Sequence, residues 1–179
     1  MRNAVLQVAR VSVVLLFLGA PAVRAQPHDE AWTLADNGAL GYRLDAWNPV
    51  EFEITMYARE NPTLPLEVGK RYQFTVANYT AYPLEVIAKG PSVAQDRVLL
   101  SMGSDDTAFA SDPDVNWQDL GQGVVRFTLT SRLYHAMVDA GGSPGYRCRT
   151  RADTMRGDFV VQSNSPLDQR VAFAPIALN

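Results

Sequence analysis

The sequence predicts an all-β sandwich, because apolar residues alternate with polar ones in several short segments and do not recur at helical spacing. Turn-forming residues separate these segments, as expected for a sandwich. The clearest segment runs through Tyr72, Phe74 and Val76 and stops at Ala77-Asn78. The other predicted strands contain Phe52, Ile54 and Met56; Tyr82 to Ala88; Val125, Phe127 and Leu129; and Gly157 to Gln162.

Two segments interrupt this pattern. Residues 101–122 contain five Asp residues among Gly, Ser and Pro, which predicts a long acidic surface loop. Calcium binding is an alternative for this loop because carboxylates are hard oxygen ligands, but the Asp spacing matches no calcium-loop template. Between Ser131 and Ala140, the residues Leu133, Met137 and Ala140 recur at helix-like intervals. This spacing predicts one short helical segment that covers an end of the sandwich.

The N-terminus predicts export. Arg2 and Arg10 flank an apolar run over residues 11–18, and the small residues Val23 and Ala25 suit cleavage before Gln26. The apolar run is shorter than the roughly 20 residues that span a bilayer, so residues 1–25 are interpreted as a signal peptide. An uncleaved anchor is the alternative. Once the signal is removed, the sequence predicts no transmembrane segment and a periplasmic or secreted location.

The chain that follows the signal peptide is long enough for one domain with a single core. The net charge of −3 argues against a nucleic-acid partner, because no basic stripe is available to neutralise phosphates. Residues 163–179 form a C-terminal tail in which Pro166 and Pro175 flank a short apolar stretch. This tail fits either an edge strand or an arm, and the sequence does not distinguish the two.

The layout around the single cysteine of the chain, Cys148, carries the main functional signal. One cysteine cannot form an internal disulfide, which leaves an inert buried thiol, a metal ligand or an intermolecular bridge. Met155 follows in a short loop, and Gly157 opens the last predicted strand. This layout resembles the C-terminal signature of the cupredoxins, the blue-copper electron-transfer family. The resemblance implies a ligand histidine between the cysteine and the methionine, where this chain has Arg151.

A second stretch extends the resemblance. Residues 61–76 look like the strand, glycine turn and strand unit of the cupredoxins. In that family a ligand histidine follows shortly afterwards, and here Tyr82, just before Pro83, takes its place. The resemblance covers roughly Asn48 to Val161, which is most of a typical single domain of this size. It implies a Greek-key, cupredoxin-like domain over residues 48–162, preceded at residues 26–47 by an N-terminal lead or first strand.

The resemblance also implies a degenerate copper site at Tyr82, Cys148, Arg151 and Met155. A blue-copper centre uses one thiolate, two imidazoles and a weak axial thioether. Cys148 and Met155 match the thiolate and the thioether. Tyr82 is a poor replacement for imidazole, because its phenol has a pKa of about 10 and would have to ionise before it could bind the metal. Arg151 is permanently cationic and has no lone pair to donate. No cofactor is therefore expected, although copper, and Cu(I) in particular, remains possible.

The two histidines offer no obvious replacement. His135 precedes the strand that ends at Cys148, so it belongs to the opposite end of that strand, and a strand rises about 3.3 Å per residue. His28 lies near the mature N-terminus in the lead segment. There it is either solvated or a weak copper ligand together with the new amino group.

Four arginines form a candidate partner patch around the same end: Arg147, Arg149, Arg151 and Arg156. Such a patch would dock an anionic protein partner, since partners of cupredoxins approach this end of the domain. The alternative is a solvated set of arginines paired in part with Asp153 and Asp158. Their positive charge would also depress the pKa of a partly exposed Cys148 thiol, which leaves redox sensing or mixed-disulfide formation as a third possibility.

Catalytic motifs are missing from the sequence: it has no nucleophile elbow, no phosphate-cradling glycine loop and no HExxH or CxxC pair. We therefore predict that the protein is not an enzyme. The sequence favours an exported cupredoxin-like binding or scaffold module that lacks a type 1 copper centre. The alternative is a periplasmic copper-binding or electron-transfer protein with an atypical ligand set that includes Cys148 and Met155. Asn78-Tyr79-Thr80 is an N-glycosylation sequon, relevant only in a eukaryotic host.

Overall fold

The computed structural model describes residues 28–48 and 59–162, which form two five-stranded sheets. In the first sheet the strand order is β2-β1-β4-β8-β7. Its members are β1 (Glu30–Asp36), β2 (Tyr42–Asn48), β4 (Arg71–Val76), β7 (Gln118–Asp119) and β8 (Val124–Thr128). In the second sheet the order is β3-β10-β9-β5-β6. Its members are β3 (Leu64–Glu67), β5 (Leu84–Lys89), β6 (Arg97–Ser101), β9 (Ser143–Cys148) and β10 (Arg156–Gln162).

Most neighbouring strands are antiparallel, and two pairs are parallel. Strand β1 pairs in parallel with β4, with Glu30 opposite Tyr72. Strand β3 pairs in parallel with β10, with Leu64 opposite Phe159. Strand β9 lies between β10 and β5, so the end of β9 is held from both sides. This central position fixes the backbone of Cys148, the last residue of β9.

The two sheets enclose one core of buried side chains. The inward residues of β4 meet those of β10 where the rings of Phe74 and Phe159 lie 6.1 Å apart. Tyr42 of β2 likewise lies 6.0 Å from Tyr146 of β9. Because these pairs join opposite sheets, the predicted all-β sandwich is confirmed.

The alternating segments form strands at the places where the sequence predicts them. The Tyr72 segment is β4, the segment from Tyr82 is β5 starting at Leu84, the Val125 segment is β8, and the Gly157 segment is β10. The predicted strand through Phe52, the signal peptide and the C-terminal tail lie outside the described residues. The segment assigned to a lead or first strand holds both β1 and most of β2, so sheet structure begins well before residue 48.

The predicted helix is α1 (Ser131–Val138), followed by a short 3₁₀ turn over residues 139–141. The Thr130 hydroxyl accepts a hydrogen bond of 3.1 Å from the backbone N–H of Leu133 and so caps the first turn. Leu133 and Met137 are buried, and α1 packs against β5, β6 and β9. Within the described ranges, no helix has the length and apolarity needed to cross a membrane.

The acidic segment 101–122 is an irregular loop apart from β7, and it is anchored rather than fully solvated. Phe109 and Val115 are buried in the core. Asp112 forms an ion pair of 3.0 Å with Arg132, and Asp119 accepts backbone hydrogen bonds from Gly103 and Gly121. These carboxylates therefore serve as acceptors that close turns.

Candidate functional site

Cys148 lies at the end of β9 in a fully buried position. Its Sγ atom is 3.2 Å from the Thr150 hydroxyl, which in turn donates a hydrogen bond of 2.6 Å to the carbonyl of Ala81. A hydroxyl has a single proton to give, so the thiol S–H is the donor to Thr150. The thiol is thus part of a hydrogen-bond chain that ends on the loop before β5.

Tyr42, like Thr150, lies at this site but was not predicted from the sequence. Its side chain is fully buried, and its hydroxyl donates a hydrogen bond of 2.7 Å to the carbonyl of Tyr82. Burial raises the pKa of Tyr42 well above its ordinary value, and the neighbouring Cys148 raises it further. The phenol is therefore neutral at physiological pH and lies beside the thiol. The alternation of Tyr42 with Leu44 after Gly41 was the available signal for a strand here.

Tyr82 lies in the turn before β5, where its backbone N–H and that of Ala81 both bond to the carbonyl of Asn78. Its side chain is half-buried and packs against the core. The Tyr82 carbonyl is already engaged by Tyr42. The structure thus brings the backbone of Tyr82 into the site through Tyr42.

Met155 is fully buried, and its carbonyl accepts a hydrogen bond of 2.8 Å from the backbone N–H of Cys148. The N–H of Met155 in turn bonds to the carbonyl of Arg151, which closes the loop between β9 and β10. The Arg151 side chain is exposed. The loop therefore brings Cys148 and Met155 together and leaves the guanidinium of Arg151 at the surface.

The turn before β2 and the segment before β3 cover this loop. The Asn61 side chain donates 2.7 Å to the carbonyl of Thr154 and accepts 3.0 Å from the N–H of Tyr42. The Thr154 hydroxyl bonds to the carbonyl of Ala39. These contacts hold Tyr42 in place beside Cys148.

Solved structures with a similar arrangement include two copper proteins. A methionine-to-glutamine mutant of rusticyanin is 14% identical, with a TM-score of 0.38 over 74% of this chain and 76% of that one. A reduced mutant of amicyanin is 19% identical, with a TM-score of 0.30 over 57% of this chain and 71% of that one. No protein-family model and no curated protein matches the sequence.

Two observations decide the architecture. One is the strand order of the two sheets, and the other is the loop from Cys148 to Met155 that joins β9 to β10. The fold is cupredoxin-like. Rusticyanin is named as a copper protein, and one amicyanin structure contains Cu(I). These statements concern those proteins.

The residues at this end of the cupredoxin-like fold do not fit a type 1 copper centre. The thiol and the thioether are present, but the other nearby groups are the neutral phenol of Tyr42 and the hydroxyl of Thr150. Such a centre requires two imidazole ligands. Within the described ranges, no three His, Cys, Asp or Glu side chains are grouped so that they could hold a metal ion.

Neither histidine approaches Cys148. His135 is exposed on α1, which precedes β9 and therefore lies toward the start of the strand that Cys148 ends. His28 directly precedes Asp29, whose N–H bonds to the carbonyl of Arg71 beside β1. Burial lowers the pKa of His28, and the charge of Arg126 lowers it further.

The four arginines separate into two groups. Arg147 and Arg156 are largely buried and both pair with Asp96, and Arg147 also pairs with Glu85 at 2.8 Å. Their carboxylate partners are thus Glu85 and Asp96 and not the Asp153 and Asp158 that the sequence suggested. Arg149 and Arg151 are exposed. Of these four arginines, Arg149 and Arg151 therefore supply the positive charge that faces solvent.

Asp96 is the centre of the buried ion-pair network. Its side chain is fully buried and accepts bonds from both nitrogens of an Arg156 fork, from Arg147 and from the N–H of Gly90. Burial alone would raise the pKa of Asp96, but the bonds from Arg156, Gly90 and Arg147 outweigh it and lower the pKa below its ordinary value. The network ties β5, β9 and β10 to the turn before β6.

Native Cys148 is expected to react with DTNB at least on the order of 100-fold more slowly than the unfolded chain, because the thiol is fully buried. The measurement is the labelling rate in buffer and in guanidinium chloride. Native labelling at the rate of the unfolded chain would contradict the burial of the thiol and would support the redox-sensing alternative.

Proposed function

We propose that this protein is an exported, cupredoxin-like binding or scaffold module without a type 1 copper centre, and that it is not an enzyme. The N-terminal charge and apolar pattern supports export to a periplasmic or secreted location. The cupredoxin-like fold supplies a rigid frame with loops at one end.

The observation that carries the proposal is the hydrogen-bond chemistry around Cys148. The thiol donates to Thr150, and the phenol of Tyr42 donates to the carbonyl of Tyr82. A copper ligand set would have to take the proton from the thiol and would gain no imidazole in return. Neutral side chains whose protons are already donated to protein acceptors are what a structural site requires.

A partner of this module is proposed to dock at the same end. Arg149 borders a surface depression that is also lined by Tyr79, Pro83 and Met102. Arg151 is exposed on the neighbouring loop. Aromatic and arginine side chains are enriched in protein interfaces, and the two arginines favour an acidic partner.

The second candidate function is copper binding or electron transfer through Cys148 and Met155. Its support is that two soft sulfur groups, the thiol of Cys148 at the end of β9 and the thioether of Met155 in the following loop, are close in the sequence and joined by a backbone hydrogen bond. Soft ligands select Cu(I). This alternative requires the Thr150 hydrogen bond to be replaced by the metal.

A copper titration separates the two functions. The purified protein is titrated with Cu(I) and with Cu(II), and absorption is recorded, with Cys148→Ser as the test variant. Met137→Leu on α1 is the matched control, because Met137 is also fully buried but lies on a different element. We expect no tight single-equivalent site and no thiolate charge-transfer band. A one-equivalent site that is lost in Cys148→Ser and kept in Met137→Leu would establish the copper function instead.

A further inference from the structure

The outer face of the first sheet carries a group of polar side chains that the candidate functional site does not include. On β4, Tyr72 and Phe74 are buried in the core, so Arg71 and Gln73 point to the opposite face. Gln73 is opposite Arg126 of β8, and the Arg126 Nε donates 2.9 Å to the Gln73 side chain. These residues form a basic row across β4 and β8.

Arg71 is the unusual member of this row. It is only 6% exposed, and its Nη1 donates to the carbonyl of Asn116 and to the hydroxyl of Thr128 at 3.1 and 3.2 Å. The Nε and Nη2 atoms are buried and have no hydrogen-bond partner in the described part of the chain. Nε and Nη2 are one edge of the guanidinium, the fork that binds two oxygens side by side.

The surroundings of Arg71 add positive charge. Burial lowers the pKa of Arg71, and the charge of Arg126 lowers it further. The positive charges of Arg126 and Arg71 each lower the pKa of His28. The Nδ1 atom of His28 is buried and has no hydrogen-bond partner among the described residues. The nearby acid is Asp29, whose Oδ2 atom accepts the backbone N–H of Arg71 at 2.8 Å. Asp29 therefore serves the backbone and forms no ion pair with the Arg71 guanidinium among the described residues.

Buried guanidinium groups are normally paired, because the desolvation of an unpaired charge is costly. A buried fork without a counterion beside a second arginine is therefore a site that gains stability when an anion binds. A metal cation is disfavoured there by the same charges. The neighbouring Gln73 and Arg126 side chains on this face are partly exposed.

We propose that the outer face of β4 and β8 binds a tetrahedral oxyanion of the phosphate or sulfate class through the Nε and Nη2 atoms of Arg71, with Arg126 and His28 as further donors. A carboxylate would be satisfied by the fork alone, whereas a tetrahedral oxyanion presents additional oxygens to the other two side chains. This site lies on a different sheet from Cys148, so the proposal does not depend on whether Cys148 binds copper.

The test is the thermal unfolding of the purified protein in sodium phosphate against sodium chloride at matched ionic strength, together with isothermal titration. Sodium sulfate and methyl phosphate are further ligands. We expect millimolar phosphate or sulfate to raise Tm by a few degrees, about the size that mass action gives for a millimolar or tighter site. Methyl phosphate distinguishes the source: equal binding indicates a monoester on a larger molecule, and weaker binding indicates the free anion.

The variants assign the site. Arg71→Gln should abolish the phosphate response, and Arg71→Lys should weaken it about tenfold because an ammonium is not a fork. Arg43→Gln on β2 removes the same charge from an exposed position and should leave the response unchanged. If Arg71→Gln does not fold, Arg126→Gln takes its place. Equal effects of the oxyanions and chloride, or an unchanged response in the Arg71 or Arg126 variant, would overturn the proposal.

Discussion

Replacing Asp96 with alanine is expected to lower the free energy of unfolding by about 3 kcal/mol, because two buried arginines lose their shared carboxylate. The Asp96 side chain is fully buried, and Arg147 and Arg156 are 15% and 17% exposed. Arg156 loses both bonds of its fork, whereas Arg147 keeps its pair with Glu85. The measurement is equilibrium unfolding in urea.

Asp153→Ala is the matched control for Asp96, because Asp153 is exposed on the loop between β9 and β10. Its effect should stay within about 0.5 kcal/mol. Similar effects of the two variants would show that the network around Asp96 contributes no more than surface charge.

The same carboxylate predicts a pH dependence. The pKa of Asp96 is lowered in the folded protein, so its contribution to stability is complete above the unfolded pKa of about 4 and is lost as the pH falls below it. The deficit of Asp96→Asn relative to the unmodified protein should therefore be full at pH 7 and shrink in acid. A deficit that is constant down to pH 2 would contradict the lowered pKa.

Gly157→Ala is expected to destabilise the protein by about 3 kcal/mol through overpacking. Gly157 is opposite Tyr146 in the β9 and β10 pair, and a Cβ atom added at Gly157 would overlap the Tyr146 ring, with 2.6 Å to Cε1. Tyr146 cannot turn away, because it is fully buried and its hydroxyl donates 2.6 Å to the carbonyl of Pro62. The absence of a side chain at Gly157 thus allows the Tyr146 ring to pack directly against the backbone of β10.

A double-mutant cycle tests this cause. In a Tyr146→Leu background the ring is gone, so Gly157→Ala should cost much less than in the unmodified protein. The measured quantity is the coupling energy from urea unfolding of the four proteins. A coupling energy near zero would mean that Gly157 matters for its backbone and not for the space it leaves.

Local alternation was sufficient to predict β4, β8 and β10, but not β9, which carries Cys148. Tyr72, Phe74 and Val76 alternate because β4 has one buried face, and β8 and β10 follow the same rule. The segment with β1 and β2 alternates as well, through Trp32 and Leu34. The sequence does not show which strand it would pair with, so the same segment was also compatible with an N-terminal lead outside the sheets.

Side-chain contacts between distant segments could not be predicted in this way. The partners of Arg147 lie 62 and 51 positions away in the sequence, and no local pattern specifies them. Tyr42 reaches Tyr82 over 40 positions. Cys148 and Met155 were predictable as neighbours because a short loop joins them, whereas the phenol beside them depends on how the two sheets pack.

The parallel pairing of β3 with β10 joins segments that are far apart in the sequence. Residues 64–67 have to wait for residues 159–162 before that edge of the second sheet exists. Contacts between such distant segments carry a large loop-closure entropy and slow the folding reaction. Synthesis from the N-terminus therefore leaves the β3 edge of the second sheet incomplete until β10 has emerged.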